Sequence, residues 1–309
     1  MRLLTRLSVM MAAGALLAGT AIAECDVDLS APSQVWFSGE SNGYDGLDST
    51  RFETRFSVQL TNKSDGPCRG RLSFQHPTGQ AGLELDGNEL AYSLSQSNSR
   101  TSVLDIETNN TAPANAIPIF LGPNQRASRS FSLSIPPRQL RPSGVYTEAV
   151  LVRLFDDETN ESVAETTALL AANVRPQASI LVYDGPLARG AITSGGSQHR
   201  IVDLGNLEEG DEASVNLLVQ SNDGFDVIVN SHNAGYLVHD VFGADQRIAY
   251  SAFLDRHALH LSGGDIRIAG KGPTAISGSV MNFRVRIGKV GTARAGRYED
   301  LITISVLPD

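Results

Sequence analysis

The stretch Ala295-Gly296-Arg297-Tyr298-Glu299-Asp300-Leu301-Ile302-Thr303-Ile304-Ser305-Val306-Leu307-Pro308-Asp309 decides how this sequence is read. Tyr298, Ile302, Ile304 and Val306 fall on alternate positions, the period-two pattern of a β-strand with one buried face. An earlier stretch, Gly144-Val145-Tyr146-Thr147-Glu148, opens the same way, with Gly-x-Tyr, an acid and an apolar strand that runs to Phe155. There the polar turn Asp156–Glu161 follows, then another apolar run around Val163–Val174, so the strand acquires a hairpin partner. The later strand, Leu301–Leu307, is followed only by Pro308-Asp309, and its sheet is expected to be one strand short.

Further from this stretch, alternating and β-branched runs recur between turns rich in Gly, Asn, Asp and Pro. Examples are RFETRFSVQL (51–60), ETTALLAANV (165–174), ASVNLLVQ (213–220), FDVIVN (225–230) and SVMNFRVRIG (279–288). Helical periodicity is almost wholly missing, so the fold class is all-β, of the sandwich type. The length suits two sandwiches better than one. A faint internal repeat agrees. SVQLTNKSDGPCRGRLSF (57–74) and NLLVQSNDGFDVIVNS (216–231) each read as strand, polar turn, strand. Leu90-Ala91-Tyr92-Ser93 then matches Ile248-Ala249-Tyr250-Ser251, and the two Gly-x-Tyr motifs come last. One sandwich is duplicated, with the boundary near Val174-Arg175-Pro176-Gln177. The expected division is a leader over 1–23, an N-terminal sandwich over 24–174 and a C-terminal one over 178–309.

The leader is read from Arg2 and Arg6, the short apolar run LSVMMAAGALLAGTAIA, and the small residues Ala21-Ile22-Ala23 at its end. These are the parts of a cleavable secretory signal. Cleavage after Ala23 would leave about 286 residues beginning Glu24-Cys25, and losing Arg2 and Arg6 takes the formal net charge from -9 to -11. No second stretch approaches the roughly 20 apolar residues of a membrane span. An acidic chain without basic clusters argues against nucleic acid and anionic lipid as partners. In an exported protein the two cysteines, Cys25 and Cys68, are expected to form a disulfide.

A sheet edge left open is a template for another chain, and donor-strand complementation uses such an edge. Four or five apolar side chains at roughly 1.5–3 kcal/mol each could contribute on the order of 10 kcal/mol before entropy. The alternative is a sandwich of fewer strands whose last strand is a tolerated edge.

The second half also resembles a known family, on LGNLEEGDEASVNLLVQSNDGFDVIVNS (204–231), RIAYSAFLD (247–255) and AGRYEDLITISVL (295–307). These pieces are similar to the spore coat protein U domain of archaic chaperone–usher pilus subunits. Residues 178–309 carry the resemblance well and 25–174 more loosely; Phe225 sits near the counterpart of Cys68, so the disulfide has no equivalent in the second copy. The resemblance implies two tandem immunoglobulin-like β-sandwiches, the C-terminal one lacking its last strand. It implies a periplasmic pilus chaperone, an outer-membrane usher and a neighbouring pilus subunit as partners, with the missing strand supplied in trans. Two-domain members are similar to tip adhesins, with an N-terminal receptor-binding domain and a location at the cell surface, on the pilus tip. Cys25 lies second in the expected mature chain, leaving no donor extension before the first strand, which suits a subunit at the distal end of a fibre.

The donor-strand groove is expected between the first and last strands of the second sandwich, lined by Ile180, Val182, Tyr298, Ile302, Ile304 and Val306. For the surface or receptor, the apolar segment Ala112–Pro123 offers Ile117, Ile119, Phe120 and Leu121 as an adhesive loop, the alternative being a short buried strand. Trp36-Phe37 is a second candidate, or a first-strand core pair. His257 and His260 lack a third ligand, Asp156–Glu161 lacks the pattern of a calcium loop, and Gly263-Gly264-Asp265 and Gly270-Lys271-Gly272 read as turns. No serine-nucleophile elbow is present. No catalytic residue, metal or cofactor is expected. A secreted pilus tip adhesin is the leading reading. The alternatives are a periplasmic two-domain assembly chaperone, a structural coat or fibre subunit of the same fold, and a polysaccharide-active enzyme with a β-sandwich accessory domain.

Overall fold

The computed structural model describes residues 25–37, 43–76, 82–99, 101–106, 111–183 and 199–309; the expected leader, 1–23, lies outside them. The first half of the chain forms β1 (Val27–Ser30), β2 (Gln34–Phe37), β3 (Phe52–Asn62), β4 (Cys68–His76), β5 (Gly82–Leu85) and β6 (Asn88–Ala91). It continues with β7 (Ser93–Gln96), β8 (Leu104–Ile106), β9 (Ile117–Leu121), β10 (Arg126–Ile135), β11 (Gly144–Asp156) and β12 (Ser162–Val174). The second half forms β13 (Ala178–Tyr183), β14 (Glu212–Ser221), β15 (Phe225–Ser231), β16 (Tyr236–His239) and β17 (Gly243–Leu254). After it come β18 (His257–Leu259), a 3-10 turn at Leu261–Gly263, β19 (Ile266–Lys271), β20 (Ser279–Ile287), β21 (Tyr298–Glu299) and β22 (Ile302–Pro308).

The architecture is all-β and immunoglobulin-like, built from sheets packed in pairs. In the first half, β1-β3-β10-β7 faces β2-β12-β11-β4-β8, with β9 joined to β4 and the β5–β6 hairpin joined to β11. In the second half, β13-β14-β20-β17-β16-β21 faces β19-β15-β22. The alternation seen in the sequence becomes the core: Tyr146, Val150, Val152 and Leu154 of β11 are all fully buried. Phe74, beside them on β4, meets Phe56 and Phe131 of the facing sheet in an aromatic knot, with the Phe74 and Phe131 rings 4.6 Å apart and edge-on. A second core gathers Leu217, Val219, Phe225, Val227, Val229, Ile248, Leu254, Met281 and Phe283.

Cys25 and Cys68 are disulfide-bonded, with Cα atoms 5.2 Å apart. The bond ties the start of β1 in one sheet to the start of β4 in the other.

The two Gly-x-Tyr motifs do the same structural work. Tyr146 donates its hydroxyl to the Pro142 carbonyl at 2.9 Å, and Tyr298 donates to the Arg294 carbonyl at 2.9 Å, each four residues upstream. This is the tyrosine corner of immunoglobulin-like sandwiches. The glycine two residues earlier is required in both copies. Gly144 and Gly296 have positive φ, and a Cβ there would run into Leu85 and the His239 ring respectively. Tyr298 itself departs from the expectation of one continuous strand. It lies on β21, pairs with His239 of β16 and stacks edge-on against the His239 ring at 4.9 Å. The chain therefore crosses from one sheet to the other between Tyr298 and Ile302. Gly270 and Lys271 also differ from the expected turn: they end β19, at a register shift opposite β15.

The halves meet through polar contacts. Asn222 accepts from the Gln177 backbone N–H at 2.7 Å and donates to the Arg175 carbonyl at 2.8 Å, while Ser143 donates to Asp223.

Candidate strand-docking site

Strand β22 is fixed along one side and at both ends. It pairs antiparallel with β15, from Ser231 opposite Ile302 to Phe225 opposite Pro308. At its start the Asp300 carboxylate accepts four donors: Ser231 Oγ at 2.6 Å, Tyr250 Oη at 2.5 Å, the Asn233 N–H at 2.9 Å and the Leu301 N–H at 2.8 Å. Burial, with the neighbouring Asp300 carboxylate, pushes the Tyr250 phenol up, so it stays a donor. At the far end the Asp309 N–H donates to the Gly224 carbonyl at 2.8 Å. The other edge of β22 has no ladder partner among the described residues.

The counterpart strand, β11, shows what a two-sided environment does. Gly144, Tyr146, Glu148, Val150, Val152 and Leu154 correspond in order to Gly296, Tyr298, Asp300, Ile302, Ile304 and Val306. β11 has β4 on one side and β12 on the other, and β12 in turn pairs in parallel with β2. Of its inner row, Tyr146, Val150, Val152 and Leu154 are fully buried. The inner row of β22 is not: Ile302, Ile304 and Val306 remain partly exposed while packing on the second core. On the facing sheet, Ile180 and Val182 of β13 are likewise partly buried against that core. Among the described residues β13 pairs antiparallel with β14, and it comes within 8 Å of β22, Cα to Cα. Five of the six groove candidates therefore lie on β13 or β22. Tyr298 lies on β21. Among the described residues one edge of β22 has no ladder partner and lies above a row of half-covered β-branched side chains, the kind of edge on which a further strand can pair.

The apolar segment in the first half is corrected. Ile117–Leu121 is not a loop but strand β9, antiparallel to β4 with Leu121 opposite Cys68 and Ile117 opposite Leu72. Ile119 and Leu121 point into the core and are 4% and 0% exposed, so they cannot meet a receptor. Alternation explains this: β-branched and aromatic residues at every second position favour a half-buried strand, and Pro118 is tolerated on a strand paired on one side only. Phe120, on the other face, is 57% exposed, with the Arg69 guanidinium 5.6 Å above its ring. In the second candidate pair the two faces split, Phe37 being buried and Trp36 about half exposed.

His257 and His260 are both exposed, on and just after β18. Among the described residues no group of three or more His, Cys, Asp or Glu side chains could hold a metal ion, and no helix is long and apolar enough to cross a membrane. The networks around Asp300 and Glu148 escaped the sequence reading. Their signal was present in the matched Ile-Ala-Tyr and Gly-x-Tyr-x-acid motifs, which turn out to meet in space: Tyr250 bonds Asp300, and Tyr92 lies beside Glu148.

No protein-family model and no curated protein matches the chain. Among solved structures it is similar to the CsuC–CsuE chaperone–tip adhesion subunit pre-assembly complex of archaic chaperone-usher Csu pili from Acinetobacter baumannii. That match has 13% identity and a TM-score of 0.45, and it covers 90% of this chain and 99% of that one. A chaperone–tip adhesin complex of CFA/I fimbriae matches with 15% identity and a TM-score of 0.34, over 92% and 84% of the two chains. A variant of the CFA/I adhesin CfaE of enterotoxigenic E. coli matches with 14% identity and a TM-score of 0.32, over 92% and 81%. These are likenesses in the arrangement of strands.

Proposed function

We propose that this chain is a secreted pilus tip adhesin. The C-terminal sandwich, 178–309, joins a fibre by taking a strand from another polypeptide along β22, and the N-terminal sandwich, 24–174, binds a surface or receptor. The observation that carries the reading is the contrast between two corresponding strands: β11 is buried between β4 and β12, whereas β22 is paired on one side and leaves Ile302, Ile304 and Val306 half covered. The strand donor during export is a periplasmic chaperone and in the fibre a neighbouring subunit, with an outer-membrane usher as the assembly platform. The final location is the cell surface. On the N-terminal sandwich, Phe120 with Arg69 and the half-exposed Trp36 are the aromatic surfaces open to a receptor.

The test is purification of the mature chain alone, with a co-expressed chaperone, and with a fused donor peptide. Aggregation or a low-temperature transition of the second sandwich, cured by either partner, is expected. A stable monomer whose second sandwich gains nothing from them overturns the reading.

A further inference from the structure

The two copies place the same three positions together but fill them differently. In the second copy, Ser231, Tyr250 and the backbone at Asn233 and Leu301 satisfy Asp300 completely. The ladders identify the counterparts. Val152 lies opposite Phe74 and Ile304 opposite Val229, so His76 stands where Ser231 stands, two residues further along. Glu148 replaces Asp300 and Tyr92 replaces Tyr250. Here the set is not satisfied. His76 Nδ1 is 4.0 Å from Glu148 Oε1, and their side chains are only 5% and 8% exposed. Neither Glu148 oxygen, nor His76 Nδ1, nor the Tyr92 hydroxyl makes a hydrogen bond of good geometry among the described residues, although the Tyr92 hydroxyl lies close enough to Glu148 to favour its charged form. Leaving such groups dry and unpaired is costly, most of all for an ionised carboxylate.

The β5–β6 hairpin lies beside this cluster and is attached to the sheet at one position, Glu84 opposite Thr147 of β11. The hairpin's own Leu83 and Leu90 are fully buried, and the Gln139 side chain bonds both backbone groups of Ala91. The hairpin brings Glu84 and Glu89 towards Glu148, while β4 brings His76 and the segment before β7 brings Tyr92. Arg141 is the cation that reaches the hairpin, its Nε donating to the Glu89 carbonyl at 2.6 Å.

We propose that Glu148, His76 and Tyr92 form a proton-operated latch for the β5–β6 hairpin: it is held against β11 when Glu148 carries a proton and loosens when Glu148 ionises. Ionisation puts a charge into a dry cluster and sets it against Glu84 and Glu89. Burial is the main cause that pushes the Glu148 carboxyl up from 4.5 to about 7; Tyr92 opposes the shift, and Glu84 and Glu89 add to it. A carboxyl raised in the folded state stabilises most when protonated. The hold is full below pH 4.5, declines as pH rises towards about 7 and is flat above. The N-terminal sandwich, which carries the exposed Phe120 and Trp36, would thus sense acidification.

The test is hydrogen exchange by mass spectrometry on the mature full chain at about pH 5 and about pH 8, read as protection factors so that intrinsic rates cancel. Peptides covering 82–91 are expected to lose protection roughly ten- to hundredfold at the higher pH, with peptides covering 225–231 as the internal control. Glu148→Gln should make the hairpin's protection independent of pH. The double change His76→Ser with Glu148→Asp, which installs the second copy's set, should do the same and guards against failure of the single variant to fold. Equal protection of 82–91 at both pH values in the unmodified chain, or an undiminished pH dependence in both variants, overturns the proposal.

Discussion

Grafting the first copy's own last strand onto the second copy tests the groove quantitatively. In the first half, Leu154 pairs with Ala164, Val152 with Thr166 and Val150 with Ala168. Pro308 corresponds to Asp156 and Asp309 to Asp157, so residues Glu158–Val174 appended after Asp309 recreate the same hairpin in the same register. The graft would complete the burial of Ile180, Val182, Ile302, Ile304 and Val306, each now partly exposed. At about half the 1.5–3 kcal/mol of a fully buried side chain, that is roughly 4–7 kcal/mol before the strand is ordered. Backbone ordering opposes this and ladder hydrogen bonds offset part of it, leaving about 2–4 kcal/mol net. For a sandwich of this size the second-half transition should rise by roughly 8–15 °C, measured calorimetrically. The control deletes one residue from the turn, which sends the inner row outward. If the shifted graft stabilises as well as the correct one, or neither stabilises, the groove reasoning is refuted.

Other expectations concern the frame around the groove. Replacing Cys25 and Cys68 by serine opens a loop with a sequence separation of 43; it should cost the first half about 4 kcal/mol, seen as a lower denaturant midpoint. Tyr146→Phe removes a corner bond made by a fully buried ring and should cost about 1–1.5 kcal/mol, whereas Tyr298→Phe, at a part-exposed corner, should cost less than about 1 kcal/mol; urea titration of each compares them. Asp300→Ala strands the buried Tyr250 and Ser231 hydroxyls and should lower second-half stability by about 2–4 kcal/mol, with Asp300→Asn milder, by the same titration. Phe120→Ala on the outer face of β9 should leave the melting temperature within a degree or so and reduce attachment of the assembled pilus to its surface; unchanged attachment removes Phe120 from the binding face.

The strands were legible because period-two alternation and turn residues are local signals. Val145–Phe155 and Val163–Val174 correspond to β11 and β12 almost to the residue. The hairpin between them was legible for the same reason, since Asp156–Glu161 is a polar turn between two apolar runs. The disulfide followed from having two cysteines in a chain expected to be exported. Non-local geometry was less accessible. Tyr298 and Ile302 share a parity, yet the backbone crosses between sheets after Glu299, so parity could not carry a face across the break. Ile117–Leu121 could be read as an adhesive loop or as a short buried strand because prolines mark its surroundings, and its own alternation is what the strand β9 realises. The acid–tyrosine meetings at Asp300 and Glu148 depend on strands far apart in sequence, and only the repeated motifs hinted that they belong together.

The central claim is that β22 receives a strand from another chain. The most direct measurement is the crystal structure of the mature chain purified with its periplasmic partner. The account predicts a foreign β-strand hydrogen-bonded along Ile302–Leu307, its alternate side chains resting on Ile180, Val182 and Ile304. A β22 edge left open in that complex, or filled by residues of the same chain, contradicts it.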